Sequence, residues 1–209
     1  ARPGRPRDPG GTVLTIGILG GTGGFGQGLA TRLRRLGEEV LVGSRSPRDE
    51  IVSNREAAER GELVFLSVPP AAVEATAREL ADVLAGKIVV SVASSVVFRD
   101  GRPAAETGEK SLAELAAEAA PEARMTAGFH TVAARALERP EPLDEDVLIC
   151  GDDAEAKAVV AELGERIVAG KAIDVGRLEC ARWLETLTAL LLNINRNYRC
   201  ETGVRITGL

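Results

Sequence analysis

The chain has 209 residues, of which 44% are hydrophobic and 27% are charged, and its formal net charge at pH 7 is −5. This length suffices for one sizeable domain, or for a large domain with a small extension. The negative charge argues against general affinity for nucleic acid or anionic membranes, so an anionic ligand must be held by local Arg side chains and backbone N–H groups. Only 3% of the residues are aromatic, which predicts an aliphatic core and excludes a platform for stacking nucleic-acid bases.

The three cysteines, Cys150, Cys180 and Cys200, are far apart and lack any CxxC spacing. Neither a disulfide framework nor a metal site is therefore predicted, and a reducing cytoplasm fits best. Residues 1–11 are rich in Arg, Pro and Gly and are predicted to be a disordered tail without the apolar core of a signal sequence. No apolar run is long enough to predict a membrane span.

The first predicted unit is a strand, a glycine-rich turn and a helix. An apolar run over residues 13–19 precedes the turn GGTGGFG at residues 20–26, and a helical pattern of leucines follows it. Gly21 permits the tight turn, Gly23 lets the backbone approach a pyrophosphate, and Gly26 lets helix and strand pack closely. The helix N-terminus offers unpaired N–H groups to the anion. This order of elements predicts a dinucleotide-binding unit.

The end of the second apolar run, residues 40–42, indicates which dinucleotide is bound. Gly43-Ser44-Arg45-Ser46 follows it, where an NAD site has an Asp or Glu that accepts from the ribose hydroxyls. Ser44 can donate to a 2′-phosphate and Arg45 can pair with it, whereas a carboxylate would repel it. NADP is therefore predicted over NAD. Arg48 lies close enough in sequence to help, and it fits equally well as a solvated loop charge.

Strands and helices alternate along the rest of the chain. Strands are predicted at residues 63–68, 88–92, 125–129 and 147–149 and around Ile173, and helices at residues 71–84, 111–120, 154–163 and 177–195. Asp152 and Asp153 precede one of these helices as N-caps do. The segment between Arg45 and Leu63 is too short for a full helix and strand, so the second helix looks truncated; a true deletion and residues missing from this stretch of the sequence both fit.

This alternation predicts an α/β fold, a Rossmann-like doubly wound and mostly parallel sheet with a small C-terminal α/β extension. The NADP-binding domain would cover residues 12–130. Residues 131–209 would form the extension, which completes the substrate cleft.

The last predicted helix has a wide apolar face. Cys180, Leu184, Leu187, Leu191 and Ile194 recur at steps of four and three, and Trp183 and Leu190 widen the stripe. So broad a face must be covered. Packing on its own domain and a homodimer interface both fit, and the pattern leaves the two open.

The chain resembles the reductases that exchange a hydride between NADP and the deazaflavin coenzyme F(420). The matching tracts are ILGGTGGFGQGLATRL, VGSRS, SVP, FHTVAARAL, VLICGDDAEAK and LETLTALLLNINR, which span nearly the whole chain. The HT-containing segment followed by CGDD and the LTxLLLNI helix is the most particular combination. The resemblance implies a Rossmann-type NADP-dependent oxidoreductase with coenzyme F(420) as co-substrate.

The resemblance also implies roles for single residues. The pyrophosphate-facing turn would be Thr22, Gly23, Gly24 and Phe25, the 2′-phosphate clamp Ser44 and Arg45, the nicotinamide neighbour Pro69, and the cleft lining His130 and Thr131. His130 is the only histidine, and it is the candidate catalytic residue. An unperturbed pKa would let it hydrogen-bond or protonate a deazaflavin oxygen near neutral pH. A lone histidine near a strand end is also commonly structural.

Two tracts depart from the family pattern. Pro70-Ala71-Ala72-Val73 stands where the family usually shows a Trp and then a His, and residues 93–97 lack the family's prolines. Two alternatives therefore stay open. One is an NADP-dependent reductase of another small substrate, such as an imine or ketone, although Tyr198 is the only tyrosine available as a proton donor. The other is a non-catalytic NADP-sensing Rossmann protein.

Overall fold

The structure is a computed structural model that describes residues 13–106 and 108–209. Its strands are β1 (Thr15–Leu19), β2 (Glu39–Ser44), β3 (Val52–Ser53), β4 (Leu63–Leu66), β5 (Ile88–Ser91), β6 (Val96–Arg99), β7 (Arg102–Ala105), β8 (Arg124–Gly128), β9 (Val147–Gly151) and β10 (Ala172–Asp174). Its helices are α1 (Gly24–Arg35), α2 (Asn54–Arg60), α3 (Val73–Glu79), α4 (Ala81–Leu84), α5 (Leu112–Ala119), α6 (Ala154–Ile167) and α7 (Ala181–Tyr198). The tail predicted at residues 1–11 lies outside the described residues.

Eight strands form one sheet in the order β10-β9-β8-β5-β4-β1-β2-β3. The six strands from β3 to β8 in this order are all paired in parallel. The prediction of a doubly wound, mostly parallel Rossmann-like sheet is therefore confirmed. β9 pairs antiparallel with β8, and β10 pairs parallel with β9. The connection between β8 and β9, residues 129–146, contains a single 3-10 turn and no α-helix, whereas a crossover between parallel neighbours usually contains one.

The core lies on both faces of this sheet. Along β1 and β4, Ile16, Ile18 and Phe65 pack on the face covered by α1 and α6, and Val64 and Leu66 pack on the opposite face. These assignments follow from the period of two in a strand. Because both faces are covered by helices, the central strands read as continuous apolar runs rather than alternating ones.

The segment between β2 and β4 contains the two-residue strand β3 and the seven-residue helix α2. The helix is short, as the length of this segment predicts. α2 lies directly against β1. A Cβ on Gly17 would stand 2.2 Å from the backbone oxygen of Ala57, so only glycine permits this approach. Ser53 caps the helix by accepting a hydrogen bond from the Glu56 N–H.

Several element boundaries differ from those predicted. The helix predicted at residues 71–84 is divided into a 3-10 turn (Pro70–Ala72), α3 and α4, because Leu80 leaves the helical region at φ −106° and ψ 9°. The last helix begins at Ala181 and ends at Tyr198, where Arg199 adopts a left-handed conformation. Of the two predicted caps, Asp153 does accept from the Ala156 N–H.

The antiparallel hairpin of β6 and β7 was not predicted. Its turn is Asp100-Gly101, and both residues have positive φ, 50° and 68°, as a two-residue hairpin turn of this type requires. The hairpin packs on α7, where Asn193 Nδ2 donates to the Pro103 oxygen at 2.6 Å. The Asp-Gly dipeptide was the signal that could have indicated it.

In the described part of the chain, no helix is both long enough and apolar enough to cross a membrane. Cys150 and Cys180 are buried free thiols, and Cys200 is an exposed one.

Candidate functional site

A cleft of about 520 Å³ opens at the C-terminal ends of β1, β2, β4 and β5. This is the edge at which open parallel sheets bind their ligands. Of the predicted site residues, Thr22, Gly23, Gly24, Phe25, Ser44, Arg45 and Pro69 line the cleft. Gly21, Gly26, Arg48, His130 and Thr131 are not part of its walls.

The glycine turn uses some of its backbone N–H groups to hold its own shape. Gly21 donates to the oxygens of Ile18 and Gly43, and Gly23 donates to the oxygen of Gly20. Within the described part of the chain, the backbone N–H groups of Thr22, Gly24 and Phe25 have no acceptor. They lie at the N-terminus of α1, where unpaired donors and the helix dipole favour an anion.

The glycines of this turn divide into two kinds. A Cβ on Gly26 would lie 2.6 Å from the Cα of Gly21, so these two residues pack the helix closely against the turn. A Cβ on Gly23 would meet only the Gly20 oxygen, at 3.6 Å, and one on Gly24 would meet no atom within 4 Å. The open space at Gly23 and Gly24 belongs to the cleft, and it fits the backbone approach that a bound pyrophosphate requires.

Arg45, directly after β2, is the only charged residue among the described residues that line the cleft. Arg45 is exposed, and its guanidinium has no ion pair within residues 13–106 and 108–209. Ser44 Oγ accepts from the Ser46 N–H at 3.1 Å, which leaves its own hydroxyl hydrogen free to donate. Arg48 forms a reciprocal backbone pair with Ile51 in the loop that follows.

His130 lies behind the cleft rather than in its wall. Its side chain is buried, and Nε2 is 3.2 Å from the backbone oxygen of Ala93, a wall residue. Burial lowers the pKa of His130 to about 4, against a smaller opposing effect of the Ala93 oxygen. The expectation of an unperturbed pKa is therefore wrong, because the imidazole is desolvated. The ring is neutral at pH 7 and carries its hydrogen on Nε2.

The backbone immediately before His130 is strained. Phe129 has a φ of 64°, although it is bulky and fully buried, and its ring packs edge-on against Phe65 at a centroid distance of 5.7 Å. Such conformations persist only where the surroundings enforce them, and they concentrate at functional sites. The sequence gives no sign of this strained conformation at Phe129, because the strain depends on packing across the sheet.

Buried polar atoms without partners accompany this strain. Ser91 Oγ, His130 Nδ1 and Thr131 Oγ1 have no hydrogen-bond partner among the described residues. All three residues lie at or just beyond the C-terminal ends of β5 and β8, the edge of the sheet that carries the cleft. Unpaired buried polar atoms are rare and need an explanation such as a ligand or water.

Several wall residues were not predicted from the sequence, and two of them, Asn54 and Ser94, form hydrogen bonds that fix the walls. Asn54 Oδ1 accepts from the Gly20 N–H at 3.0 Å, and Ser94 Oγ lies 2.8 Å from Thr188 Oγ1 of α7. Thr188 Oγ1 also lies 2.9 Å from the backbone oxygen of His130. These bonds connect the cleft walls to α2 on one side and to α7 on the other.

Comparison with known proteins agrees with this geometry. The family model described as "NADP oxidoreductase coenzyme F(420)-dependent" matches residues 15–95. The F(420)-dependent NADP reductase of Methanocaldococcus jannaschii is 35% identical, covering 94% of this chain and 99% of its own. The corresponding reductase of Methanothermobacter thermautotrophicus is 36% identical, covering 94% of this chain and 96% of its own. The chain belongs to this family.

A crystal structure from Arthrobacter sp. FB24, provisionally assigned to the F(420)-dependent NADP reductases, has the same fold. It is 28% identical and superimposes with a TM-score of 0.83, covering 93% of this chain and all of its own. The residues matched by the family model contain every wall of the cleft, from the glycine turn to Ser94. His130, Thr131 and α7 lie beyond them, in the part of the chain where the similarity to whole F(420)-dependent NADP reductases continues.

Proposed function

We propose that this protein is an NADP-dependent oxidoreductase that transfers a hydride between NADP(H) and the deazaflavin coenzyme F(420). The observation that carries the proposal is the similarity to F(420)-dependent NADP reductases over 94% of the chain. The cleft supports it, because an open glycine turn and Arg45, which has no ion pair among the described residues, line the same space of about 520 Å³. Among the described residues that line the cleft, the one charged side chain is the cation Arg45, which suits an anionic ligand.

The backbone N–H groups of Thr22, Gly24 and Phe25 would bind the pyrophosphate, and Gly23 would leave room for it. Ser44 and Arg45 would bind the 2′-phosphate, with Arg48 assisting from the loop. Gly21 and Gly26 would hold the turn in shape. Pro69 and Thr131 would adjoin the nicotinamide.

The chemistry needs little from the protein beyond positioning. Bound NADPH supplies a hydride from its nicotinamide carbon, and reduction of F(420) takes up one solvent proton in addition. The chain would hold the two rings together and exclude water from the space between them. His130 would act from behind the wall formed by Ala93, and because its ring is neutral and its Nδ1 has no partner among the described residues, it would accept a hydrogen bond rather than donate a proton.

Residues 12–130 would form the NADP-binding domain, and residues 131–209 would complete the substrate cleft. The bond between Ser94 and Thr188 supports this division of roles, since it joins the cleft wall to α7. Three free thiols fit a reducing compartment, the cytoplasm.

A homodimer is part of the proposal. Trp183, Leu190 and Tyr198 of α7 are exposed, as is Phe98 on the neighbouring hairpin, and exposed apolar groups of this size favour association. We expect sedimentation to show a dimer at micromolar concentration. A Trp183→Asp, Leu190→Asp variant should sediment as a monomer that still binds NADPH. An unaltered protein that remains monomeric at these concentrations would refute the interface.

The proposed reaction is tested by mixing the protein with NADPH and oxidised F(420). Bleaching of the deazaflavin absorbance, at a rate proportional to the protein and without added metal or flavin, is expected. A matched sample of NADPH and protein without F(420) should show no NADPH oxidation. Tight NADPH binding without bleaching would overturn the F(420) reaction and leave the NADP site standing.

A second candidate is an NADP-dependent reductase of another small substrate. It is favoured by one observation: Pro70, Ala72, Ala93 and Ser94, which belong to the two tracts that depart from the family pattern, all line the cleft. NADPH oxidation by an imine or ketone without F(420) would support it. Bound NADPH that no acceptor oxidises would instead indicate a sensing protein.

A further inference from the structure

Beyond Arg45 and Ser46, which directly follow β2, the segment between β2 and β4 contributes one more residue to the cleft walls, Asn54. Asn54 is the first residue of α2 and directly follows Ser53. Ser53 pairs in register with Ser44 at the end of β2. This pairing brings Asn54 to the same end of the cleft as Ser44 and Arg45, although its sequence neighbours in α2 face elsewhere.

The orientation of the Asn54 amide is determined by its neighbours. Its Oδ1 accepts the Gly20 N–H at 3.0 Å, and Gly20 is the left-handed residue, with a φ of 70°, that starts the glycine turn. A Cβ on Gly43 would lie only 2.9 Å from the same oxygen, so the glycine leaves the room that the oxygen occupies. Because an N–H donor faces it, this atom must be the amide oxygen.

The other end of the amide is therefore a donor without a partner. Asn54 Nδ2 has no acceptor among the described residues, and the cleft walls contain no carboxylate that could supply one. The same walls contain the guanidinium of Arg45. An unpaired amide N–H group beside a free cation suits a ligand oxygen that carries negative charge.

We propose that Asn54 acts as a positioning residue for the glycine turn through Oδ1 and as a hydrogen-bond donor to a phosphate or ribose oxygen of the cofactor through Nδ2. This inference rests on the proposed function only in taking NADP as the occupant of the cleft. It assigns a role to the truncated segment. The packing of α2 against β1 would hold the Asn54 amide between the glycine turn and the 2′-phosphate end of the site.

Asn54→Asp separates the two parts of this role. The aspartate keeps an acceptor for the Gly20 N–H, but it replaces the donor with a negative charge near the 2′-phosphate. We expect NADPH binding to weaken by about a hundredfold and NADH binding by about tenfold or less, since hydrogen bonds to charged groups are each worth about tenfold to a hundredfold. The difference between the losses of NADPH and NADH affinity should shrink at high salt, because salt screens the repulsion between the aspartate and the 2′-phosphate.

Asn54→Ala and Arg60→Gln complete the series. The alanine variant loses the acceptor and the donor, and both NADPH and NADH should bind about tenfold more weakly. Arg60 lies at the far end of α2 in exposed ion pairs with Glu39 and Glu56. Its change to Gln alters the charge by the same amount as Asn54→Asp, and both affinities should stay within about twofold.

The readout is calorimetric titration with NADPH and NADH, with thermal unfolding of each variant as a check on folding. A purely structural role would lower stability and leave the ratio of the two affinities unchanged in Asn54→Asp, which would overturn the inference. If that variant does not fold, Asn54→Ala decides: unchanged NADPH affinity overturns the inference. Failure of the unaltered protein to bind NADPH would overturn the NADP site as well, whereas failure to bleach F(420) would leave this inference untouched.

Discussion

A Gly23→Val variant is expected to keep its fold and to lose NADPH binding by at least about a hundredfold, because each blocked N–H to phosphate bond is worth about 1.5–3 kcal/mol. The backbone at Gly23 is extended, at φ −71° and ψ 162°, which valine adopts without strain. The added side chain meets only the Gly20 oxygen, at an ordinary distance of 3.6 Å. It therefore projects into the cleft, where the pyrophosphate would lie.

The measurement is calorimetric titration with NADPH, accompanied by thermal unfolding. Gly26→Ala is the contrasting variant, since its Cβ would stand 2.6 Å from the Cα of Gly21, and it should lower the unfolding temperature. Normal NADPH binding by a folded Gly23→Val protein would mean that the pyrophosphate lies elsewhere.

Arg45→Ala is expected to remove most of the preference for NADPH over NADH. The guanidinium is exposed and has no ion pair in the described structure, so its main electrostatic partner would be the 2′-phosphate. A charge-assisted bond of this kind supplies about 1.5–3 kcal/mol, or about tenfold to a hundredfold in the ratio of affinities. NADH affinity should change little, because NADH has no 2′-phosphate.

Two other arginine variants make this experiment specific. Arg48→Ala should reduce the preference by a smaller factor if the loop arginine assists as predicted. Arg60→Gln, at the far end of α2, should leave the preference unchanged. Equal affinity of the unaltered protein for NADPH and NADH would refute the assignment of Ser44 and Arg45.

The parts of the site that the sequence predicted well are local. The turn at residues 20–26 and the Ser44-Arg45 pair each lie within a few residues of the strand that presents them, so their chemistry can be read directly from the chain. Their meeting in one cleft follows from the rule that parallel strands bring their C-terminal ends to a common edge. The structure places both in the walls of the same space.

The parts that could not be predicted depend on contacts between distant residues. Asn54 meets the Gly20 N–H across 34 positions of the chain, and His130 meets the Ala93 oxygen across 37. The low pKa of His130 results from burial beneath the cleft, and the strain at Phe129 results from packing around β8. None of these is encoded in a short motif. The reversal at β9 was missed for the same reason, since a loop and a crossover of similar length look alike in sequence.

The central claim is direct hydride transfer between NADPH and F(420), and deuterium tracing tests it most directly. NADPH carrying deuterium at both hydrogen positions of its transferring carbon is mixed with oxidised F(420) and the protein in ordinary water, and the reduced deazaflavin is analysed by mass spectrometry. We expect one deuterium in each reduced F(420), because the nicotinamide passes the hydrogen together with both electrons in one step and leaves no stage at which solvent exchanges with it. Reduced F(420) without the label, or no reduced F(420) while NADPH binds tightly, would contradict the proposed reaction.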